Sequence, residues 1–138
     1  MAYWLLKSEP DAWSWQQQKA KGAKGEAWTG VRNYQARNNM RVMKVGDKGF
    51  FYHTGDEKAV VGTVEIIATI HPDPTDAEWE CVDVKALDAL PSPVKLETIK
   101  KDKRLKDMVL VKNSRLSVQP VAADEWRTVC ELGGLKSA

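Results

Sequence analysis

The sequence is poor in the residues that most often do covalent chemistry. It has two cysteines and two histidines in 138 residues. Cys81 and Cys130 lie far apart without metal-ligand spacing, and no Cys/His cluster surrounds His53 or His71 in the linear sequence. A zinc module is therefore not expected, and neither a metal nor a cofactor is called for. The thiols read as free and buried in a reducing compartment rather than as a disulfide. The nucleophile elbow, the P-loop and the dinucleotide fingerprint are absent. Ser92-Pro93-Val94-Lys95 fits Ser-x-x-Lys, but it sits between prolines with no supporting motif and reads as coincidence.

Long hydrophobic runs are missing too. The longest near the N-terminus is Ala2 to Leu6, with no basic residues before it, so it reads as a strand and not as a signal peptide. Nothing approaches membrane-spanning length, so no membrane partner and a cytoplasmic location are expected. Neither charge sign dominates: 21 Lys/Arg against 19 Asp/Glu give +2, too little to argue for nucleic acid alone. The distribution is uneven. Val94 to Arg115 holds eight Lys/Arg and three Asp/Glu, whereas Glu65 to Leu90 holds seven Asp/Glu and one Lys. One basic and one acidic sector suit a chain that meets a polyanion on one side.

What the sequence does have is concentrated between Ala27 and Arg41. These fifteen residues include two aromatics, three arginines, three asparagines, a glutamine and a glycine. Asn33, after the Gly30 loop, predicts a helix N-cap. Ala36, Met40 and Met43 then recur as one apolar stripe, and Tyr34, Arg37, Asn38 and Arg41 fall on the opposite face. Trp28 precedes this helix, as a flat surface for a base or as an ordinary core residue.

Elsewhere, Ala2–Lys7 reads as a strand, and Ser8, Pro10 and Asp11 as the start of a short helix through Trp13 to Lys19. Lys48–His53 reads as a strand buried on both faces, and Val60–Ile70 as a long strand whose Gly62 marks a bulge or a close backbone approach. His71–Pro74 reads as a loop and Glu80–Ala86 as a strand, ended before Pro91-Ser92-Pro93. Leu96–Lys101 predicts a short helix and Met108–Val111 a buried strand. Arg115, Ser117 and Gln119 form a polar ladder opposite Leu116 and Val118. Ala123–Leu132 predicts a final helix, packed by Trp126, Val129 and Cys130 and ended by Gly133-Gly134. The pattern is α+β, best met by one small mixed β-barrel with flanking helices.

Five segments offer flat rings, hydrogen-bonding edges or cations: Lys7/Ser8, Trp28, Asn33/Tyr34, Tyr52/His53 and Arg115/Ser117/Gln119. In a barrel they would converge at one mouth.

These segments resemble the EVE domain family. The resemblance is carried by Tyr3-Trp4-Leu5-Leu6-Lys7-Ser8-Glu9-Pro10, Trp28 to Asn38, Phe50-Phe51-Tyr52-His53, Cys81-Val82-Asp83-Val84 and Arg115-Leu116-Ser117-Val118-Gln119-Pro120, in the family's order over almost the whole chain. It implies a PUA-like barrel over residues 1–138, similar to the YTH domains that hold a methylated adenine in an aromatic cage. It also implies a reader of modified bases, notably modified cytosines such as 5-methylcytosine in DNA, with RNA also possible. Lys7-Ser8 resembles the Lys-Ser pair that contacts the base in YTH domains, and Trp28 matches a cage tryptophan. Asn33, Tyr34, His53, Ser117 and Gln119 fall in motifs that line the family's pocket, with Tyr52 beside them and Trp79 as a second wall. Thr54-Gly55 departs from the Ser-Asn of many relatives, which bears on the preferred base.

The expectation is a monomeric binding module without catalytic residues. Arg32, Arg37, Arg41, Arg115 and the sector from Lys95 to Lys112 would contact phosphates. The alternatives are an enzyme acting on a small nucleotide or RNA, with His53 as general base, and a protein-interaction module with exposed tryptophans.

Overall fold

In the computed structural model, residues 1–135 are described. The strands are β1 (Tyr3–Ser8), β2 (Glu26–Ala27), β3 (Lys48–His53), β4 (Ala59–Asp73), β5 (Asp76–Lys95) and β6 (Val118–Val121). The helices are α1 (Trp15–Ala20), α2 (Tyr34–Arg41), α3 (Leu96–Lys101), α4 (Val109–Lys112) and α5 (Ala123–Leu132). The strands form one mixed sheet in the order β2-β5-β4-β3-β1-β6, with β1 parallel to β3 and the other neighbours antiparallel. β2 and β6 are its two edges, so the expected barrel is not closed by strand pairing among the described residues.

Both faces of the sheet are buried, and strand alternation assigns each side chain to one of them. Trp4, Leu6, Phe51, Val64, Ile66 and Val84 join Trp15, Ala36 and Met40 in a core beneath α1 and α2. Leu5, Phe50, Tyr52 and Val60 join Ile99, Leu110, Trp126 and Val129 in a second core beneath α3, α4 and α5. Trp126 is its largest fully buried side chain, stacked 4.0 Å from Phe50 and 4.6 Å from Tyr3.

Several boundaries differ from expectation. α1 begins at Trp15 because Ser14, not Ser8, caps it, in a capping box with Gln17. β4 and β5 run on through His71 to Asp73 and meet at a tight turn over Pro74-Thr75, because the Asp73 carboxylate accepts the Thr75 N–H and hydroxyl. Pro91 and Pro93 do not break β5: β2 pairs only with Val84 and Asp83, so the other edge beside these prolines carries no strand. Met108–Val111 is no strand; Val109–Lys112 is a single helical turn, a short apolar run whose periodicity is equally compatible with either. Gly62 is a close approach, since a Cβ there would lie 2.5 Å from the Trp15 ring.

Candidate functional site

Asn33 caps α2 as its side chain accepts the Ala36 N–H at 2.9 Å, and Ala36, Met40 and Met43 are buried. This fixes the loop before α2 against the sheet. The Trp28 N–H donates to the Val82 carbonyl at 2.8 Å, and the Trp28 ring meets Phe51 edge-on with centroids 5.4 Å apart. Trp28 is 7% exposed. It borders a cavity of about 410 Å³ whose lining includes Lys7, Ser8, Glu9, Trp13, Thr29 and Gly30. The size suits a small-molecule or base-sized site.

Asp73 holds the rim of this cavity. Its buried carboxylate accepts the Gly30 N–H at 3.0 Å, an Arg32 guanidinium N–H at 3.2 Å and the Thr75 N–H at 2.7 Å. Burial opposes its ionisation, but the Thr75, Gly30 and Arg32 donors outweigh it and hold the carboxyl well below the usual range. The positive φ of Gly30 (+84°) lets the loop turn toward Asp73. The sequence did not mark Asp73 as a rim residue, because Gly30 and Arg32, which tie it to the cavity, lie more than forty residues away.

The other residues singled out from sequence do several different things. The Ser8 hydroxyl donates to the Trp13 carbonyl, tying the end of β1 to the segment before α1. Lys7 and Tyr52 face the second core, with the ammonium over the Tyr52 ring and bonded to the Ser114 carbonyl. Burial lowers the Lys7 pKa and raises that of Tyr52. Tyr52 is therefore on the far face of the sheet from Trp28. Gln119 is fully buried: its amide donates to the Asn113 and Leu116 carbonyls at 3.1 and 2.8 Å, clamping the loop before β6. Ser117 is half-buried, and its carbonyl accepts the Lys7 N–H at 2.9 Å. Arg115 and Ser117 thus lie in a folded loop and Gln119 on β6, so the polar ladder is not one strand face.

His53 is committed on both sides. Nε2 accepts the Trp15 N–H at 3.0 Å, and Nδ1 lies 2.6 Å from the Glu57 carboxylate. An imidazole whose two nitrogens are both engaged has no free lone pair for proton abstraction.

Tyr34 and Trp79 stack with centroids 5.1 Å apart. Arg32 lies over Trp79 at 5.6 Å and Arg37 over Tyr34 at 4.8 Å, which makes a four-layer cation–aromatic stack at the start of α2. Tyr34 is 66% exposed. Arg41 pairs with Glu80 at 2.6 Å, and Arg32 with Asp73, so both already have an acidic partner. Arg115 is exposed without an ion pair among the described residues. The basic sector from Lys95 to Lys112 is carried by the elements over the second core, on the face away from Trp28.

A second cluster went unseen in the sequence. His71 and Cys81 are direct cross-strand partners on β4 and β5, and Asp83 follows two residues along. The absence of a linear Cys/His motif concealed a neighbourhood made by strand pairing. No described helix is long and apolar enough to cross a membrane.

Comparison with known proteins places the chain. Thymocyte nuclear protein 1 of Mus musculus is 33% identical over 164 residues, covering 94% of this chain and 73% of that protein. A crystal structure of a protein from Agrobacterium tumefaciens is 56% identical with a TM-score of 0.97, covering 100% of this chain and 97% of that one. Human THYN1, solved in complex with DNA containing 5-methylcytosine, is 30% identical with a TM-score of 0.89, covering 99% and 100% of the two chains. The YTH domain of Zygosaccharomyces rouxii MRB1, solved with N6-methyladenosine RNA, shares the fold at a TM-score of 0.60 and 16% identity, covering 99% and 89%. The EVE domain family model matches residues 2–132, and the chain belongs to the EVE domain family.

Proposed function

We propose that this protein is a non-enzymatic, monomeric reader of a modified nucleobase, a modified cytosine in DNA before RNA. The base is flipped out of its strand and enters the cavity beside Trp28. The observation that carries this reading is the likeness, over 99% of this chain, to human THYN1, a protein solved with 5-methylcytosine DNA, together with a base-sized cavity bordered by Trp28. Trp28 supplies the stacking face, and Ser8, in the lining beside it, a hydrogen-bonding edge. The Tyr34/Trp79 stack with Arg37 then meets the strand beside the flipped nucleotide, by aromatic stacking and charge. The engagement of both His53 nitrogens weighs against the enzyme reading.

The test is a fluorescence-anisotropy panel of otherwise identical oligonucleotides carrying cytosine, 5-methylcytosine, 5-hydroxymethylcytosine or N6-methyladenine, in DNA and RNA. A preference of at least about tenfold for one modified cytosine is expected, the scale of one stacked base. Equal affinity for all of them would refute the reading.

A further inference from the structure

Near the turn of the β4/β5 hairpin, His71 Nε2 lies 2.8 Å from Asp83 Oδ1, and His71 Nδ1 lies 3.1 Å from the Pro72 carbonyl oxygen. Each ring nitrogen thus faces an acceptor, yet a neutral imidazole has a single N–H. With Nδ1–H on the Pro72 carbonyl, the Nε2 lone pair faces the Asp83 carboxylate, and a metal ion between them would satisfy both. Cys81 Sγ lies 3.8 Å from both ring nitrogens, and the donor atoms of His71, Cys81 and Asp83 all lie within 4.8 Å of one another. The three donors are of the nitrogen, sulfur and oxygen types that zinc-class ions take.

We propose that His71, Cys81 and Asp83 form a binding site for a zinc-class divalent cation. Tetrahedral zinc with nitrogen, oxygen and sulfur ligands separates its donor atoms by about 3.3–3.8 Å. Sγ stands equally far from both ring nitrogens, off the line of the Nε2 lone pair, so the Cys81 side chain has to swing toward Nε2 while Asp83 retreats by about half an ångström. Its side chain is 33% exposed and that of His71 35%, so there is room for this and for a water as fourth ligand. The Nδ1–H bond to Pro72 leaves Nε2 as the ligating nitrogen, with a backbone carbonyl orienting the ring as is usual for metal-bound histidine. On binding, the Cys81 thiol proton leaves to solvent, a sulfur–metal bond forms, and no oxidation state changes. The mix of thiolate, imidazole and carboxylate favours zinc or cobalt over magnesium or calcium. The ion would staple β4 to β5 close to Asp73, which holds the Gly30 loop.

The full chain, stripped with a chelator, is titrated with Co(II) and then with Zn(II). One equivalent of cobalt should bind with a thiolate-to-cobalt absorption band, zinc should displace it, and the thermal midpoint should rise. Partners outside the coordination sphere are worth about 10–100-fold in metal affinity, so loss of a ligand in His71→Ala or Asp83→Asn should cost at least that. Cys81→Ser should abolish the band. If Cys81→Ser does not fold, the wild-type band and the half-exposed His71→Ala variant carry the test. No stoichiometric uptake, no sulfur band, or equal affinity in His71→Ala would overturn the proposal and leave His71 and Asp83 as a hydrogen-bonded pair. Affinity for oligonucleotides is measured separately, so failure here leaves the reading of the cavity untouched.

Discussion

Trp28 cannot be sorted into wall or core, because its burial makes it both. Its edge packs on Phe51 while the same side chain borders the cavity. Truncation to alanine should cost up to about 3–5 kcal/mol of stability in chemical denaturation. It should also weaken binding of a modified-base oligonucleotide about ten- to a hundredfold. Trp28→Phe should recover most of the stability and only part of the affinity. Trp126→Ala supplies the contrast: it should lose stability on the same scale, yet its folded fraction should bind as the wild type does. Asp73 is a second case in which one residue serves two ends. Asp73→Ala leaves the Gly30 and Thr75 N–H groups without their acceptor, at about 0.5–1.5 kcal/mol per hydrogen bond lost. The pH dependence has a definite sign. The folded state lowers the Asp73 pKa, so its contribution is fully present above the unfolded value of about 3.9 and is lost as pH falls toward the folded one. Acid titration followed by circular dichroism should show a shallower loss below about pH 4 in Asp73→Asn than in the wild type.

At the level of elements, periodicity was a good guide wherever one face had to be buried. The Ala36, Met40 and Met43 stripe and the Asn33 cap of α2 were legible, as were Trp126, Val129 and Cys130 on α5. Met108–Val111 was not, because four apolar residues carry no period long enough to separate a helical turn from a strand. The Arg115–Gln119 ladder misled because alternation was read from a loop into β6, where Gln119 turns inward to bond the Asn113 and Leu116 carbonyls. His71 and Cys81 could not be paired from the sequence, since the register of a long, irregular hairpin is set by its bulges. Gly62 sits at an irregularity, since the β4/β5 register shifts on both sides of it, but its close neighbour is the Trp15 side chain and not backbone. Gly62→Val should therefore displace α1 and cost about 1–3 kcal/mol, seen as a lower thermal midpoint and as faster amide exchange in Trp15–Ala20.

For the molecule as a whole, charge and topology divide the two faces. The cavity, the Tyr34/Trp79 stack and Arg37 belong to the side covered by α1 and α2, whereas Lys100, Lys103 and Lys106 lie with the helices of the other side. Oligonucleotide affinity should fall as salt rises, and Arg37→Ala should weaken all sequences alike while reducing the salt slope by about one. A Lys103→Ala/Lys106→Ala double variant should leave the slope nearly unchanged. A slope that responds only to the double variant would move the nucleic acid to the opposite face. The place of β1 has a further consequence, for the order in which the protein matures on the ribosome. β1 is flanked by residues 48–53 in parallel and by residues 118–121 in antiparallel. A nascent chain emerging from the exit tunnel must therefore carry Trp4, Leu5 and Leu6 unpaired until β3 appears, and keep one edge of that strand open until residues 118–121 have emerged. Chains stalled before β6 should be protease-sensitive at β1 and bound by chaperones, and both properties should vanish once β6 has left the tunnel.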